Sequence, residues 1–364
     1  MIINRSIAKD IEKTLAGEPK VIILYGPRQA GKTTMVSQIL AGLPEKAAFF
    51  NGDDLRVQEI FGTQNLERLN AAVGDARLVV IDEAQRIPDI GQSLKLLYDS
   101  LKIRIIATGS SSFELSGKIN EPLTGRAVNY LLYPVAVGEL SPASPNISIA
   151  PQLEEFLRFG MYPKVLTTTG DDNKQKYLED LMNNYLYKDI LAFDNIRKPK
   201  KIIDLLAMLA LQIGNEVSIA ELTKHLALSR QVVEKYLDIL EKMFVIINLR
   251  GFSRNLRKEI YKTSKYYFVD LGMRNALIRN FNPLHLRADA GALLENFFLL
   301  ERMKLLNNSG QSANFYFWRT YDQKEIDLIE EKNGKLYAYE IKWNKKQAYE
   351  PKDFKDTYPQ AEFT

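Results

Sequence analysis

The chain contains no cysteine and only two histidines, His225 and His285, which lie far apart. The first absence excludes a disulfide framework, a thiolate zinc site, an iron–sulfur cluster and a cysteine nucleophile. The second argues against a histidine-based metal site or a Ser/His/Asp triad. A metal, if used, is expected to be a hard cation held by oxygen. Long apolar runs are missing as well: LLAMLAL, Leu205 to Leu211, has the length of a core helix and falls far short of the ~18 residues a membrane helix needs. The opening segment, MIINRSIAKDIEK, places Arg5, Lys9, Asp10, Glu12 and Lys13 where an export signal needs an unbroken apolar stretch. The expectation is a soluble, cytoplasmic protein without membrane contact. A strong charge of one sign is also lacking: 49 Lys and Arg stand against 45 Asp and Glu, a formal net charge of +4. Any nucleic-acid affinity must come from local clusters, not from the total.

What is present is enough chain, 364 residues with 46% apolar content, for two or three packed domains. The short apolar runs VIILY, AAFF, RLVVI and IRIIA alternate with helical patterns through residues 1–135, and fully apolar runs suit parallel strands covered on both faces. An α/β fold with a parallel sheet is expected there. SPASPNISIAP, Ser141 to Pro151, breaks the rhythm. Helical spacing then runs from Gln152 to Leu211. Ser218 and Ser229 stand as N-caps of two short helices ahead of FVIINL and YYFV, the order of a winged helix-turn-helix. A long helix and strands around FYFWR, EIDLIEE and LYAYEIKW are expected to form a small C-terminal α/β unit, with Phe363-Thr364 falling within its last strand.

Gly26-Pro27-Arg28-Gln29-Ala30-Gly31-Lys32-Thr33 fits GxxxxGK[ST] and lies between the strand VIILY and a helix that continues through Thr34. Glycines let the backbone amides curl around phosphates, the helix N-terminus adds its positive end, Lys32 reaches the β and γ phosphates, and Thr33 offers a hydroxyl to magnesium. The alternative is a glycine turn that binds nothing. RLVVIDEAQ ends a strand in Asp82 and Glu83, at the edge where a parallel sheet meets its ligand. Asp82 is expected to hold magnesium and Glu83 to polarise the attacking water, unless both acids merely cap the next helix. Thr108 and Ser110, closing IRIIA, are candidate phosphate sensors or turn hydroxyls. Arg126, in LTGRAV, is a candidate charge neutraliser in cis or in a neighbouring subunit, or an ion-pair residue.

GPRQAGKT, LVVIDEAQ, TGSSSFEL, LTGRAVNYLLYPV with Glu139, and KYYFVDLGMRNAL together resemble the AAA+-type ATPases of bacteria and archaea that carry a C-terminal domain of unknown function. The resemblance runs over nearly the whole chain. It implies a five-stranded parallel ATPase core, a helical lid, a winged helix-turn-helix and a nuclease-like tail, expected here at 1–145, 146–197, 198–285 and 286–364. The stop at Phe363-Thr364 is a departure from that pattern, with the tail expected to be truncated at its C-terminal end. It also implies nucleotide contacts from Gly26 to Thr34, magnesium on Thr33 and Asp82, and water activation by Glu83.

Two further clusters bear on partners. Arg250, Arg254, Arg257, Lys258, Lys262 and Lys265 outnumber Glu259 between residues 250 and 265, and RKPKK (Arg197 to Lys201) lies nearby, so the wing could meet a DNA backbone. Glu234, Asp238 and Glu241 offset Arg230, Lys235 and Lys242 on the second helix, which argues against strong sequence readout; a structural or protein-contact role is the alternative. At the C-terminus, Asp327 on one strand and Glu340 with Lys342 on the next could share one metal, since alternate strand residues share a face. This resembles the PD-(D/E)xK nuclease fold, which implies acids on magnesium, a lysine at the hydrolytic water and a matching acid at Glu295; a strand salt bridge is the alternative. The leading expectation is thus magnesium-dependent binding and hydrolysis of ATP, no guanine-reading motif being evident, coupled to domain rearrangement. The alternatives are an ATP-regulated metal-dependent endonuclease and a nucleotide-gated DNA- or protein-binding regulator.

Overall fold

Runs of apolar residues with no polar alternation need cover on both faces, and three of them become central parallel strands. The computed structural model describes residues 3–44, 46–110, 122–140, 150–191, 198–253, 264–320, 322, 324–343 and 349–364. They form two compact units: Met1–Val135 with Lys242–Phe244, and Ala136–Glu241 with Val245–Thr364.

The first unit is built on strands β1 (Val21–Tyr25), β2 (Ala47–Asn51), β3 (Leu78–Asp82), β4 (Arg104–Gly109) and β5 (Ala127–Leu131) in the order β2-β3-β4-β1-β5. Every neighbouring pair is parallel. β1 and β3 are buried along their whole length, whereas the edge strands β2 and β5 are half-exposed. Side chains alternate between faces. Ile22, Leu24, Leu78, Val80 and Ile106 meet Met35, Val36 and Ile39 of the helix Lys32–Ala41 and Ile7, Ile11 and Leu15 near the N-terminus. Val21, Ile23, Val79, Ile81 and Ile105 meet Phe61, Leu69, Ile90, Leu94 and Leu97 on the other face. The connecting helices Leu55–Gly62 and Leu66–Val73 start at side-chain caps, Asp54 to Arg56 N at 2.9 Å and Asn65 to Arg68 N at 3.0 Å. The functional consequence is register: Leu24 lies beside Thr108, Tyr25 beside Gly109 and Asn51 beside Asp82, so four strand ends open on one edge.

The second unit begins with helices Ala150–Phe159, Pro163–Thr167, Asp171–Leu191 and Pro199–Leu211. Helices Ile219–Leu226 and Arg230–Lys242 follow, the first capped by Ser218 Oγ to Glu221 N at 3.4 Å. One seven-stranded sheet then collects β6 (Glu216–Val217), β7 (Ile246–Gly251), β8 (Ser264–Phe268), β9 (Asn314–Arg319), β10 (Glu325–Lys332), β11 (Lys335–Tyr339) and β12 (Glu362–Phe363), in the order β12-β11-β10-β9-β7-β8-β6. The expected division at 285/286 therefore cuts through one sheet. β7 pairs with β8 on one side only, and an open edge is satisfied by β9, parallel to it at Arg250↔Tyr316 and Gly251↔Phe317, with Phe252 N donating to Phe317 O at 2.6 Å. The boundary segment 141–149 and the wing residues Arg254, Arg257, Lys258, Glu259 and Lys262 lie outside the described residues, as does Arg197. Lys265 is not a wing surface residue; it is 1% exposed.

The segment VDLGMRNAL is a polar fastener in this unit. Asp270 caps the helix Leu271–Leu277 and also accepts Met161 N at 2.7 Å. Glycine is required opposite it, because a Cβ on Gly160, at φ +74°, would lie 2.1 Å from Asp270 Oδ1. Asn275 donates to the last-turn carbonyls of Leu157 and Arg158 at 2.9 and 2.8 Å. Buried Arg274 reaches Ala210 O, and Arg274 and Arg287 converge on Asp289 at 2.5 and 2.8 Å. Burial raises the Asp289 carboxyl, but the two guanidiniums outweigh it and hold it at about 2.

Asp289→Asn is expected to cost about 2 kcal/mol at pH 7, by leaving two buried guanidiniums without their counter-charge. The folded carboxyl is depressed below its unfolded value of about 3.9, so the contribution is present above that pH and lost as pH falls toward 2. Denaturant midpoints of the two proteins should accordingly converge between pH 5 and pH 2; a constant gap would contradict the assignment.

Candidate functional site

The loop after β1 takes its shape from residues without side-chain bulk. Gly26 has φ +150°, and a Cβ there would sit 2.2 Å from Leu132 O. Gly31 opens the helix Lys32–Ala41 at φ 98°, ψ 21°, a left-handed conformation costly for any residue with a Cβ. Lys32 is 5% exposed and folds back to donate to Gly26 O at 2.9 Å and Pro27 O at 3.0 Å. Arg5 braces the loop from the N-terminal segment, donating to Ala30 O at 2.8 Å and Tyr133 O at 2.7 Å. Sequence reading missed this role, since no spacing links Arg5 to the loop.

At the tip of β3, Asp82 commits both oxygens to hydroxyls. Thr33 Oγ1 donates to Oδ2 at 2.9 Å, and Thr108 Oγ1 donates to Oδ1. Thr33, Asp82 and Thr108 thus form one chain across the loop helix, β3 and β4. Thr108 is fully buried, and its hydroxyl is bonded to Asp82. Ser110, at the end of β4, accepts from Gln85 Nε2 at 3.2 Å. Glu83 has φ 50°, ψ 40° at the start of the turn Ala84–Arg86 and makes no side-chain cap bond, which removes the capping alternative for this residue. Its carboxylate accepts from Gln85 Nε2. Gly52 N donates to Asp82 O at 2.8 Å, and a Cβ on Gly52 would lie 2.3 Å from Glu83 O, so this acidic tip also depends on a glycine from the neighbouring strand end. The oxygen pair of Thr33 and Asp82 fits a hard divalent cation in its chemistry.

Arg126 does not reach this site within its own chain. Val21 N donates to Arg126 O and Val21 pairs with Ala127, so Arg126 stands at the amino end of β5. Five strand residues at about 3.3 Å each put it about 16 Å from the phosphate-loop end. Its guanidinium instead forms a two-pronged pair with Asp99 at 2.8 and 3.1 Å, the ion-pair alternative.

In the second unit, Glu295, Asp327, Glu340 and Lys342 come within electrostatic reach of one another, yet a different cation stands among them. Lys265 Nζ, from β8, pairs with Glu295 Oε1 at 3.0 Å and with Glu325. Tyr267 OH donates to the same Glu295 oxygen. Asp327 Oδ2 accepts Ile341 N at 2.7 Å, and Glu340 Oε1 pairs with Lys342, leaving Glu340 Oε2 buried without a partner. Burial pushes Glu295 up to about 7, with Asp327 adding to the rise and Lys265 opposing it. Burial raises Asp327 and Glu340 as well. Among the described residues no group of three or more acidic or histidine side chains is arranged to hold a metal ion. The structure shows the Glu340–Lys342 salt bridge. Lys265 was counted with the basic wing; only pairing β8 into the sheet reveals its place.

Comparison with known proteins matches this architecture in three parts. A model described as an AAA domain matches residues 18–141. Domain of unknown function DUF8612 matches 150–284, and domain of unknown function DUF4143 matches 290–362. Over 347 residues the chain is 30% identical to the uncharacterized protein Rv2008c of Mycobacterium tuberculosis, covering 94% of this chain and 74% of that one. It is 28% identical over 314 residues to the uncharacterized protein MJ1544 of Methanocaldococcus jannaschii, covering 81% and 69%. Among solved structures, the Walker-type ATPase paby2304 of Pyrococcus abyssi matches with a TM-score of 0.54 at 18% identity, over 76% of this chain and 96% of that one, a likeness of fold.

Lys265→Met leaves Glu295 and Glu325 facing each other without their ammonium and is expected to cost about 3 kcal/mol in a urea melt at pH 8. Wild-type stability at pH 8 would show that the buried pairs contribute nothing.

Proposed function

We infer function from kinship and geometry together: the chain belongs to the family of the mycobacterial protein Rv2008c, and we propose that its AAA domain binds ATP and hydrolyses it with magnesium. The observation that carries this reading is the 2.9 Å bond from Thr33 to Asp82 beside the buried ammonium of Lys32. Loop amides from Gly26 to Gly31, the helix N-terminus and Lys32 bind the triphosphate, with Pro27, Arg28, Gln29, Ala30 and Thr34 completing the loop. Thr33 and Asp82 hold magnesium, which neutralises charge on the phosphate oxygens when bound. Thr108 and the β3 backbone keep Asp82 aimed. Glu83 takes a proton from water as the water oxygen bonds to the γ-phosphorus and the bond to the β-bridging oxygen breaks, giving ADP, inorganic phosphate and a proton.

The helices Ile219–Leu226 and Arg230–Lys242 with the β7–β8 ribbon read as a winged helix-turn-helix that responds to nucleotide state by rearrangement. Exposed Arg250 on its ribbon suits a phosphate backbone, while the Arg230–Glu234 pair at 2.7 Å supports weak, sequence-independent contact. The C-terminal unit is nuclease-like in strand pattern only: Lys265 occupies the midst of the acids, so the endonuclease alternative lacks support from a metal cluster. A nucleotide-gated regulator that never hydrolyses remains distinct from the leading reading through Glu83.

Glu83→Gln is expected to lower ATP turnover by about 10² or more with nucleotide affinity kept, and Lys32→Ala to abolish binding. Phosphate release and a fluorescent-nucleotide titration measure the two; unchanged turnover in Glu83→Gln would overturn the mechanism. Turnover measured with and without duplex DNA tests the ribbon: stimulation that fades with salt supports backbone contact, and no response assigns the module to a protein partner. Manganese titration of Lys32→Ala should show no site that Asp327→Ala removes.

A further inference from the structure

The phosphate edge holds one polar side chain that the hydrolysis scheme leaves without a task. Gln85 lies in the turn after Glu83, and its amide nitrogen donates both to Glu83 Oε2 and to Ser110 Oγ, the latter at 3.2 Å. An amide nitrogen has two hydrogens, so both are spent on these contacts. The reverse orientation would set the Gln85 carbonyl oxygen against a carboxylate, two acceptors facing each other. The remaining end, Gln85 Oε1, is buried and has no donor. A buried carbonyl oxygen without a donor is costly, and a glutamine that merely filled the turn would turn to satisfy it. Here that cost is borne while the nitrogen stays on Glu83 and Ser110.

We propose that Gln85 is a positioning residue: it fixes the Glu83 carboxylate and couples it to Ser110, so that nucleotide at the tip of β4 is sensed by the water-activating acid. The proposal rests on the ATPase reading and adds its regulation. The coupling has a physical route. Glu83 is set in a left-handed backbone at the end of β3, a conformation that over-determines where its side chain begins, and Gln85 determines where it ends. Ser110 follows Gly109, which pairs with Tyr25, the residue before the phosphate loop. A ligand in that loop that draws on Ser110 alters the second anchor of Gln85 and thereby its hold on Glu83. Thr108, two residues earlier on the same strand, is already committed to Asp82, so β4 contributes to both acids through separate hydroxyls.

The test uses the full chain with Gln85→Ala and Gln85→Glu, reading kcat and KM for ATP, affinity for a fluorescent ATP analogue, and the thermal midpoint. For Gln85→Ala, kcat is expected to fall about tenfold or more while KM, affinity and midpoint stay within about twofold or a few degrees. Gln85→Glu keeps the length of the side chain but replaces its donor with a second carboxylate, so its kcat should fall at least as far as that of Gln85→Ala. A space-filling role gives the opposite order, with Gln85→Glu near the unaltered rate, and that order would overturn the proposal. So would an unchanged kcat in Gln85→Ala, or equal losses of kcat and affinity. The two levels separate cleanly: no turnover in the unaltered chain removes the ATPase reading and this proposal with it, whereas normal turnover there and in Gln85→Ala removes this proposal alone.

Discussion

The hydroxyl–carboxylate chain from Thr33 through Asp82 to Thr108 is the interaction on which the geometry of the first unit's strand ends depends. It joins the helix after β1, the tip of β3 and the interior of β4, three segments that only parallel register brings together. Asp82 is 8% exposed, and a carboxylate so placed is tolerable only when its oxygens are hydrogen-bonded. The two threonine hydroxyls meet that demand, one on each oxygen. Glycines protect the arrangement at close approach: Gly26 against Leu132 O, and Gly52 against Glu83 O.

The second unit solves a harder electrostatic problem in a different way. Its sheet buries parts of Glu295, Glu325, Asp327 and Glu340 close together, and mutual repulsion with burial lifts Glu295 to about 7. Lys265 enters this cluster because β8 is fixed beside β7, and β7 in turn is fixed beside β9. Burial opposes its charge, but Glu295 and Glu325 outweigh burial and keep it an ammonium. Removing either the strand order or the lysine would leave acids that cannot all stay ionised, so the sheet continuity across residues 285 and 286 and the ionic cluster support each other.

Local signals were legible in the sequence and non-local ones were not. VIILY, RLVVI and IRIIA announce buried parallel strands because both faces of each are covered, and GPRQAGKT announces its loop because the glycine spacing and the flanking strand and helix are contiguous. Arg126 looked close to the site because it follows β4 by a short segment. The strand register reverses that impression, since the chain returns to the amino end of the sheet before β5 begins. Arg5, Gln85 and Lys265 escaped for the same reason: each acquires its role from partners many residues away or from a side-chain direction that periodicity does not encode. The β7–β9 joint escaped because a two-stranded ribbon read alone looks complete, and nothing in its residues reports an open edge.

Two buried lysines show how one side chain is accommodated in the interior by different partner chemistry. Lys32 and Lys265 are 5% and 1% exposed. Carbonyl oxygens of Gly26 and Pro27 accept from the Lys32 ammonium, at the head of a helix whose own N-terminus is positive. Lys265 meets two carboxylates, so an incoming anion would have to displace ligands as strongly attracted as itself, and an incoming metal ion would have to expel an ammonium already seated. The same side chain, in each case almost fully hidden, is bonded to loop carbonyls in one unit and to two carboxylates in the other.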